Sequence, residues 1–429
     1  MKQINIVKRS QHLLMWCTVA LTACFQSCEE YPDAFEPTGG VPEVVYVRMP
    51  APEAADSLIT AAYIENTIVL VGYNLTSVRE IYFNDQKAVL NTSFITSNTL
   101  FVNVPRELPG LVTDKVYLVT TGRDTVSFDF EVLIPPPFVN QMSNEYAFEN
   151  QVAMLYGDYF IDDPEVPLSI SFPGGVPVTE IISIEKTQVA FRVPEGAEKG
   201  YLSVSSVHGT SRSKFQYRDD RGMILDWDDL DAAGGWRSGV IRNNNPVESL
   251  VGNYVHFSGD IPGDNSDWDE DGFSFNLWGI ANGRPKGDLF DIDPADALLK
   301  FEINVSEPWK ASALQMIFTP WELGLEIKDG EGNVIEGKPA TNNYIADGTT
   351  PRGLWYPWLK TGSYQTDGWV TVSFPLSDFK YNHEGKELEE GLSKGDFGGL
   401  TFFVYHGGVA GEACTPQISI DNIRVVPAE

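Results

Sequence analysis

Alternation of apolar and polar side chains, with a period of two, is the feature that most limits what this chain can fold into. It recurs after residue 42, for example over residues 370–374 and 417–426, and turn residues interrupt it about every ten positions. The sequence has no long stretch with the 3.6-residue period of an amphipathic helix. Because successive side chains of a strand point to opposite faces of a sheet, the pattern predicts an all-β protein.

Two segments repeat one pattern, the first at residues 68–105 and the second at residues 152–194. In each, a strand ends on a glycine near a tyrosine, a hairpin follows, and a later strand terminates on Val-Pro. We expect Gly72 and Gly157 to let the chain turn sharply out of the strand. The closing prolines should end the ladder because proline has no N–H.

This order of elements resembles the IPT/TIG immunoglobulin-like fold over about residues 43–218. The resemblance implies two Ig-like β-sandwiches, predicted at residues 43–134 and 138–218. Three consecutive prolines at residues 135–137 should form a stiff joint between them. A polar run at residues 218–222 predicts the next boundary. Neither copy contains a tryptophan, so we expect both sandwiches to act as spacers.

The first 28 residues have the pattern of a lipoprotein signal peptide. A basic segment precedes an apolar stretch, residues 13–25, which is shorter than the ~20 apolar residues that span a bilayer. Two lipobox cysteines follow. Cys24 has the better preceding residues, but Cys28 is followed by an acidic run that resembles the surface-export signal of Bacteroidetes lipoproteins. We predict acylation of Cys28, with Cys24 as the alternative and an ordinary secretory peptide as a second alternative.

Charge and cysteine content limit the partners and the covalent structure. The net charge of -30 should repel phosphate backbones and anionic lipid, so no nucleic-acid partner is expected, whereas a neutral glycan is compatible with it. Residues 29–42, rich in Pro, Gly and acidic side chains, predict a flexible tether. If Cys28 is acylated, Cys414 has no partner for a disulfide, and we expect it to be a small buried hydrophobe.

Tryptophan is confined to the last part of the mature chain. Nine of the ten tryptophans lie in the predicted C-terminal domain, residues 222–429: Trp227, Trp236, Trp268, Trp278, Trp309, Trp321, Trp355, Trp358 and Trp369. A sugar ring presents a face of C–H bonds that can lie flat on an indole, so an exposed tryptophan cluster favours glycan binding. About half of these tryptophans should instead be core residues.

Local context separates the two groups of tryptophans. Trp321 follows Pro320, and the segment that holds Trp355, Tyr356 and Trp358 contains Pro357, so these aromatic side chains are expected on loops or strand edges. Such positions are hard to bury. We therefore predict a glycan-binding platform formed by Trp321, Trp355, Trp358 and Tyr356.

The whole layout resembles the surface glycan-binding lipoproteins of Bacteroidetes polysaccharide-utilisation loci, in the class whose last domain includes the xyloglucan-binding type. The closing strand, residues 417–426, also resembles the last strand of jelly-roll carbohydrate-binding modules. The resemblance implies a larger jelly-roll-like sandwich, capture of a β-glucan or hemicellulose, an outer-membrane lipid anchor and a neighbouring TonB-dependent transporter. Trp321 and Trp355 match the platform positions of that class. Leu354 stands where xyloglucan binders have an aromatic residue, which departs from that pattern.

Three alternatives stay open. The acidic loop that contains Asp264, Asp267, Asp269 and Asp271 imitates the start of a calcium loop, but Trp278 stands where an EF-hand needs Glu, which leaves calcium in a jelly-roll loop as the weaker option. A surface glycoside hydrolase with Ig-like spacers would use paired carboxylates, which are too abundant here to be informative. A protein-binding adhesin would use the same tryptophans. The sequence has no recognisable catalytic motif, so we predict a non-enzymatic protein without a cofactor.

Overall fold

The computed structural model describes residues 40–228, 238–339 and 341–428. The predicted signal peptide, Cys24, Cys28 and most of the predicted tether lie outside these residues. The chain divides between Pro135 and Pro136 into two compact units. Strands dominate both units, so the all-β prediction is confirmed. In the described part of the chain, no helix has the length and apolar character needed to cross a membrane.

The first unit contains two main sheets. Its strands are β1 (Glu43–Arg48), β2 (Ala61–Tyr63), β3 (Thr67–Tyr73), β4 (Val78–Phe83), β5 (Gln86–Lys87), β6 (Thr99–Asn103), β7 (Lys115–Thr120), β8 (Thr125–Asp129) and β9 (Glu131–Leu133). One sheet has the order β1-β3-β6 and the other β5-β4-β7-β8, while β2 and β9 pair in parallel. Apolar side chains such as Ile68, Leu70, Ile81 and Leu118 are fully buried between them.

The second unit begins with a sandwich of two four-stranded sheets. Its strands are β10 (Phe138–Met142), β11 (Val152–Asp158), β12 (Ser169–Phe172), β13 (Val176–Pro177), β14 (Ile181–Glu185), β15 (Gln188–Arg192), β16 (Gly200–Ser206) and β17 (Gly209–Tyr217). The sheet orders are β10-β11-β15-β14 and β13-β12-β16-β17. Phe172, Phe191 and Tyr217 pack together in its core.

The repeated glycines do not act as predicted. A Cβ on Gly72 would lie 1.8 Å from the carbonyl oxygen of Glu43, beside a bulge in β1. A Cβ on Gly157 would meet the matching oxygen of β10 at the same distance, again beside a bulge. Close approach of the neighbouring strand therefore requires both glycines. The turn out of the strand is made by the following residues, since Asn74 and Tyr159 have φ of 55° and 59°. β6 and β15 end immediately before the Val-Pro pairs, as predicted.

The C-terminal part of the second unit is a larger sandwich. Its strands are β18 (Met223–Leu225), β19 (Ile241–Arg242), β20 (Tyr254–Ser258), β21 (Ser274–Leu277), β22 (Ala297–Glu307), β23 (Ala313–Thr319), β24 (Leu325–Lys328), β25 (Val334–Lys338), β26 (Gly353–Trp355), β27 (Val370–Pro375), β28 (Gly399–Tyr405) and β29 (Gln417–Pro427). The first sheet has the order β19-β20-β29-β22-β27, with β18 also paired to β29. The second sheet has the order β21-β28-β23-β26, and β24 and β25 form a separate hairpin.

Helical segments are short throughout the described residues. One α-helix spans Glu270–Phe273, and 3-10 turns span Pro52–Ala54, Leu75–Ser77, Thr92–Phe94, Pro173–Gly175, Ser238–Val240, Gly279–Asn282, Pro294–Asp296, Asn343–Ile345 and Leu376–Asp378. Cys414 is half-buried against the core and is a free thiol in this part of the chain.

The two C-terminal sheets enclose one apolar core. Phe301 of the first sheet meets Phe402 of the second edge to face, with ring centroids 5.6 Å apart. The closing strand does not alternate over its whole length. A bulge beside Asn422, whose φ is 51°, shifts the phase so that Ile420 and Ile423 both face the core.

Candidate functional site

Trp355 lies between the sheets, not on an open platform. It is the last residue of β26 and pairs with Leu314. Its indole meets three rings at steep angles, those of Phe301, Trp309 and Tyr364, with centroids 6.0, 5.9 and 5.5 Å away. Because Phe301 and Trp309 are fully buried, Trp355 packs against the core at the open edge of the sandwich, and only part of its ring reaches solvent.

Trp358 is a core residue, which corrects the expectation of an exposed ring. Its exposure is 4%, and its indole N–H donates to the backbone oxygen of Ser312 at 2.7 Å. Pro357 removes the segment from the ladder, as expected, but the turn that follows folds the indole inward. A buried indole has no free face for a sugar.

Trp321 is half-buried in the turn that follows β23. The ammonium group of Lys286 lies 4.5 Å from its ring centroid, and Lys286 also pairs with Glu336. Trp321 and Trp355 lie near opposite ends of β23, roughly 20 Å apart at about 3.3 Å per residue of extended chain. The two rings therefore do not form one continuous stacking surface.

Tyr356 lines a concave site of about 380 Å³, here called the tyrosine pocket. Its hydroxyl donates to the backbone oxygen of Gly407, and burial raises the pKa of Tyr356 to about 12. The side chain thus stays neutral and fixed. The lining residues are Leu354, Tyr356, Tyr381, Glu384, Gly385, Gly407, Gly408 and Val409.

Two glycines shape the wall of the tyrosine pocket. Gly407 and Gly408 have φ of 102° and 79°. A Cβ on Gly407 would lie 2.8 Å from the Tyr356 hydroxyl, and one on Gly408 would lie 1.9 Å from the carbonyl oxygen of Glu384. Both positions therefore require glycine, for backbone conformation and for space.

Trp268 supplies the exposed aromatic surface that the sequence interpretation missed. Of the tryptophans that the structure describes, it alone is exposed, at 52%. Its ring meets Tyr405 and Phe403 nearly at right angles, with centroids 4.9 and 5.8 Å away. Tyr405 in turn contacts His406, which lies 6.1 Å from His383. These five side chains, Trp268, Phe403, Tyr405, His406 and His383, are here called the Trp268 shelf. The shelf adjoins the tyrosine pocket, because His406 and His383 are followed directly by the pocket residues Gly407 and Glu384.

The sequence did contain a signal for Trp268. It stands between Asp267 and Asp269 in a polar, turn-rich loop, where an indole has no strand neighbours to cover it. We interpreted this loop as an acidic turn or a calcium loop, and that interpretation hid the aromatic residue.

The acidic side chains of this loop serve local structure. Asp264 accepts from the backbone N–H of Ser266 at 3.1 Å, and Asp269 caps the short helix through the N–H of Gly272 at 2.9 Å. Asp267 accepts from the Ser312 hydroxyl at 2.7 Å. Among the described residues, no three His, Cys, Asp or Glu side chains are grouped to hold a metal ion. The calcium alternative, which would use Asp264, Asp267, Asp269 and Asp271, therefore has no ligand cluster in this loop.

The walls near the shelf carry little fixed positive charge. Burial, assisted by the Arg352 guanidinium, lowers the pKa of His383, so its imidazole is neutral at neutral pH. Arg352 is itself fully buried and donates to Gln315 at 2.8 Å and to the carbonyl oxygens of Tyr344 and Ile345. An aromatic surface whose edges carry hydrogen-bond acceptors and no exposed cation suits an uncharged, hydroxyl-rich ligand.

Comparisons with known proteins place the C-terminal sandwich in a family. Residues 217–427 match the family model of the surface glycan-binding protein B xyloglucan binding domain. An IPT/TIG domain-containing protein of Bacteroides ovatus is 27% identical over 202 residues, which are 43% of this chain and 41% of that protein. This match thus spans less than half the length of the B. ovatus relative.

A crystal structure of surface glycan-binding protein PbSGBP-B from Prevotella bryantii is similar over nearly the full length. It shares 35% sequence identity, covers 91% of this chain and 100% of that chain, and has a TM-score of 0.69. With the IPT/TIG relative, it confirms the predicted fold class of Ig-like sandwiches followed by a larger β-sandwich. The predicted domain limits, 43–134, 138–218 and 222–429, stay predictions.

Proposed function

The chain belongs to the surface glycan-binding protein B family, whose members bind glycans without catalysis, and from this premise we propose that its C-terminal sandwich captures a β-glucan or hemicellulose at the cell surface. The sequence predicted a non-catalytic glycan-binding protein of a polysaccharide-utilisation locus, and membership of this family confirms that prediction. Which polymer the chain binds is part of our proposal. The exposed indole of Trp268 can stack on the face of C–H bonds that a sugar ring of a β-linked backbone presents.

We assign the binding surface to the Trp268 shelf and the tyrosine pocket together. The observation that carries this assignment is the 52% exposure of Trp268 on a ring that Tyr405 and Phe403 hold edge-on. Tyr356 and Tyr381 continue the aromatic lining, and Glu384 at the edge can accept hydrogen bonds from hydroxyl groups.

The predicted platform residues enter this proposal in different ways. Tyr356 belongs to the surface directly. Trp321 contacts a separate stretch of a long polymer, since it lies at the other end of β23. Trp355 stabilises the sandwich edge beneath Leu354, which lines the pocket. Trp358 lies in the core and does not contact the glycan.

Affinity-gel electrophoresis of the mature chain against soluble glycans tests the proposal. Trp268→Ala and Tyr381→Ala should each reduce retardation in the gel that retards the wild type. Phe94→Ala is the matched control, because it removes a ring that is 56% exposed in the first unit and should leave retardation unchanged. Wild-type migration of both site variants would refute the assignment, and release of sugar from the polymer would favour the hydrolase alternative.

Attachment to the outer membrane is a further part of the proposal. The acidic residues after Cys28 support acylation there, with Cys24 as the alternative. The neighbouring TonB-dependent transporter is the partner that the resemblance to lipoproteins of polysaccharide-utilisation loci implies. Fractionation of host cells is the test. Cys28→Ala should release the protein from the membrane fraction, and Cys24→Ala should not. Release of the protein from the membrane fraction by Cys24→Ala, but not by Cys28→Ala, would show that Cys24 carries the lipid.

A further inference from the structure

We propose that a groove between the two sandwiches of the second unit is a second carbohydrate-binding site, for a short neutral segment of the same glycan. This junction groove encloses about 450 Å³, within the range of about 300–1,000 Å³ of ligand sites. It is distinct in its residues from the Trp268 shelf and the tyrosine pocket. The inference rests on the proposed function for the chemical class of its ligand.

The lining of the junction groove has the composition that carbohydrate recognition requires. Trp369 and Phe148 supply aromatic surface, one from each sandwich. Asn144 and Gln151 from the second sandwich and Asn304 from the C-terminal sandwich supply amides. Because an amide both donates and accepts, it matches a sugar hydroxyl, which does the same.

Trp369 is held in a fixed orientation. Its indole N–H donates to the backbone oxygen of Glu248 at 2.8 Å, and its ring meets Tyr254 edge to face, with centroids 5.5 Å apart. The exposed part of the half-buried ring faces the groove. Because the ring is already fixed, a ligand that binds there does not have to order it.

Asn304 is the strongest polar indication of a ligand. It lies on the outward face of β22, is 8% exposed and lines the groove. Its side-chain amide carries both a donor and an acceptor, so it can exchange hydrogen bonds with a hydroxyl group of a ligand in the groove.

The two walls are fixed relative to each other directly beside the groove. The hydroxyl group of Thr371 accepts a hydrogen bond of 2.7 Å from the backbone N–H of Glu145. The backbone N–H of Thr371 donates a hydrogen bond of 2.9 Å to the backbone oxygen of Ser143. Glu145 also pairs with Arg424 at 2.8 Å. A groove with walls held this way is preorganised, which lowers the ordering cost of binding.

Charge disfavours anionic ligands in this groove. Asp367 and Glu248 lie at its edge, and the chain as a whole has a net charge of -30, so an anionic ligand is disfavoured. No cationic side chain lines the groove in the described residues. A neutral ligand rich in hydroxyl groups fits both the amides and the aromatic rings.

Isothermal titration of the mature chain tests the inference, with a mixed-linkage β-glucan heptasaccharide and a xyloglucan oligosaccharide as the probes. We expect about two oligosaccharides per wild-type chain, and about one in Asn304→Leu and in Asp367→Ala. The Asp367 side chain is exposed, so its loss leaves the fold intact if Asn304→Leu proves unstable. Glu165→Ala, exposed on the second sandwich away from the groove, is the matched control and should bind as the wild type does.

The primary-site variant Trp268→Ala separates this inference from the proposed function. It should leave the junction groove occupied, and adding Asn304→Leu to it should remove the remaining binding. One oligosaccharide or none per wild-type chain with both probes, or groove variants whose isotherms superpose on the wild type, would overturn the second site. An unchanged isotherm for Trp268→Ala would overturn only the assignment of the shelf.

Discussion

Glu145 of the second sandwich and Arg424 of the closing strand are both fully buried and form an ion pair of 2.8 Å. Each has a second partner of opposite charge, because Lys300 pairs with Glu145 at 2.6 Å and Glu302 with Arg424 at 2.8 Å. The two carboxylates and two cations balance, which offsets the cost of removing them from water. The network joins the two sandwiches, so the second Ig-like sandwich is more than a separate spacer.

Glu145→Gln should destabilise the second unit by about 3–5 kcal/mol, because it leaves Arg424 and Lys300 with too little compensating charge in a buried site. Urea denaturation followed by tryptophan fluorescence measures the change. Glu180→Gln is the matched control, since Glu180 pairs with Arg192 on the surface and should contribute less than about 1 kcal/mol. Equal, small effects of the two variants would contradict a structural role for the network.

Asp421→Asn should stabilise the protein at neutral pH, by roughly 1–3 kcal/mol. Burial, with repulsion from nearby carboxylates, raises the pKa of Asp421 well above its ordinary value, and one of its oxygens has no partner in the described residues. A raised carboxyl pKa means that the folded state binds the proton more tightly, so this contribution to stability falls as the pH rises from the unfolded pKa towards the folded pKa.

The same comparison over a pH series provides the check on Asp421. The difference in melting temperature between Asp421→Asn and the wild type should disappear at low pH, where Asp421 is protonated in both states, and should grow as the pH rises above the unfolded pKa. A difference that is constant with pH would show that the gain comes from packing alone.

Trp355→Ala and Trp268→Ala should affect different properties. Loss of Trp355 leaves a cavity beside Phe301 and Trp309, so we expect a loss of about 3–5 kcal/mol of unfolding free energy. Loss of Trp268 should weaken glycan binding about tenfold, which corresponds to ~1.4 kcal/mol, with little change in stability. Thermal melts and affinity gels on both variants separate the two roles. A Trp355→Ala protein that is as stable as the wild type but no longer binds the glycan would show that Trp355 belongs to the binding platform.

Leu354→Tyr should increase the retention of the protein by xyloglucan relative to unbranched β-glucan. Leu354 lines the tyrosine pocket. The resemblance noted in the sequence analysis implies an aromatic residue at this position in xyloglucan binders. A ring at this position would extend the stacking surface beside Tyr356. Affinity gels with both polymers provide the measurement, with Leu359→Tyr, exposed at 52% outside the pocket, as the control. Equal gains for both variants would show a nonspecific effect.

Sequence interpretation succeeded where the pattern is local. Alternation predicted strands, the Val-Pro pairs predicted strand ends, and tryptophan content marked the C-terminal sandwich as the binding domain. It failed for Gly72, because the need for glycine there comes from an oxygen on a neighbouring strand and not from the chain's own turn. It also failed for Trp358, since proline takes a segment out of a ladder without deciding whether the next turn points inward or outward.

The period-two pattern and the repeat by themselves determined an all-β chain with two similar units before an aromatic-rich module. Those features depend on neighbours along the chain, which a sequence displays directly. Only the tertiary structure decided which aromatic rings are exposed, that Trp268 and Tyr356 lie along one surface, and that Glu145 meets Arg424. These relationships depend on which faces of distant strands pack together, and many sequences with the same alternation would pack them differently.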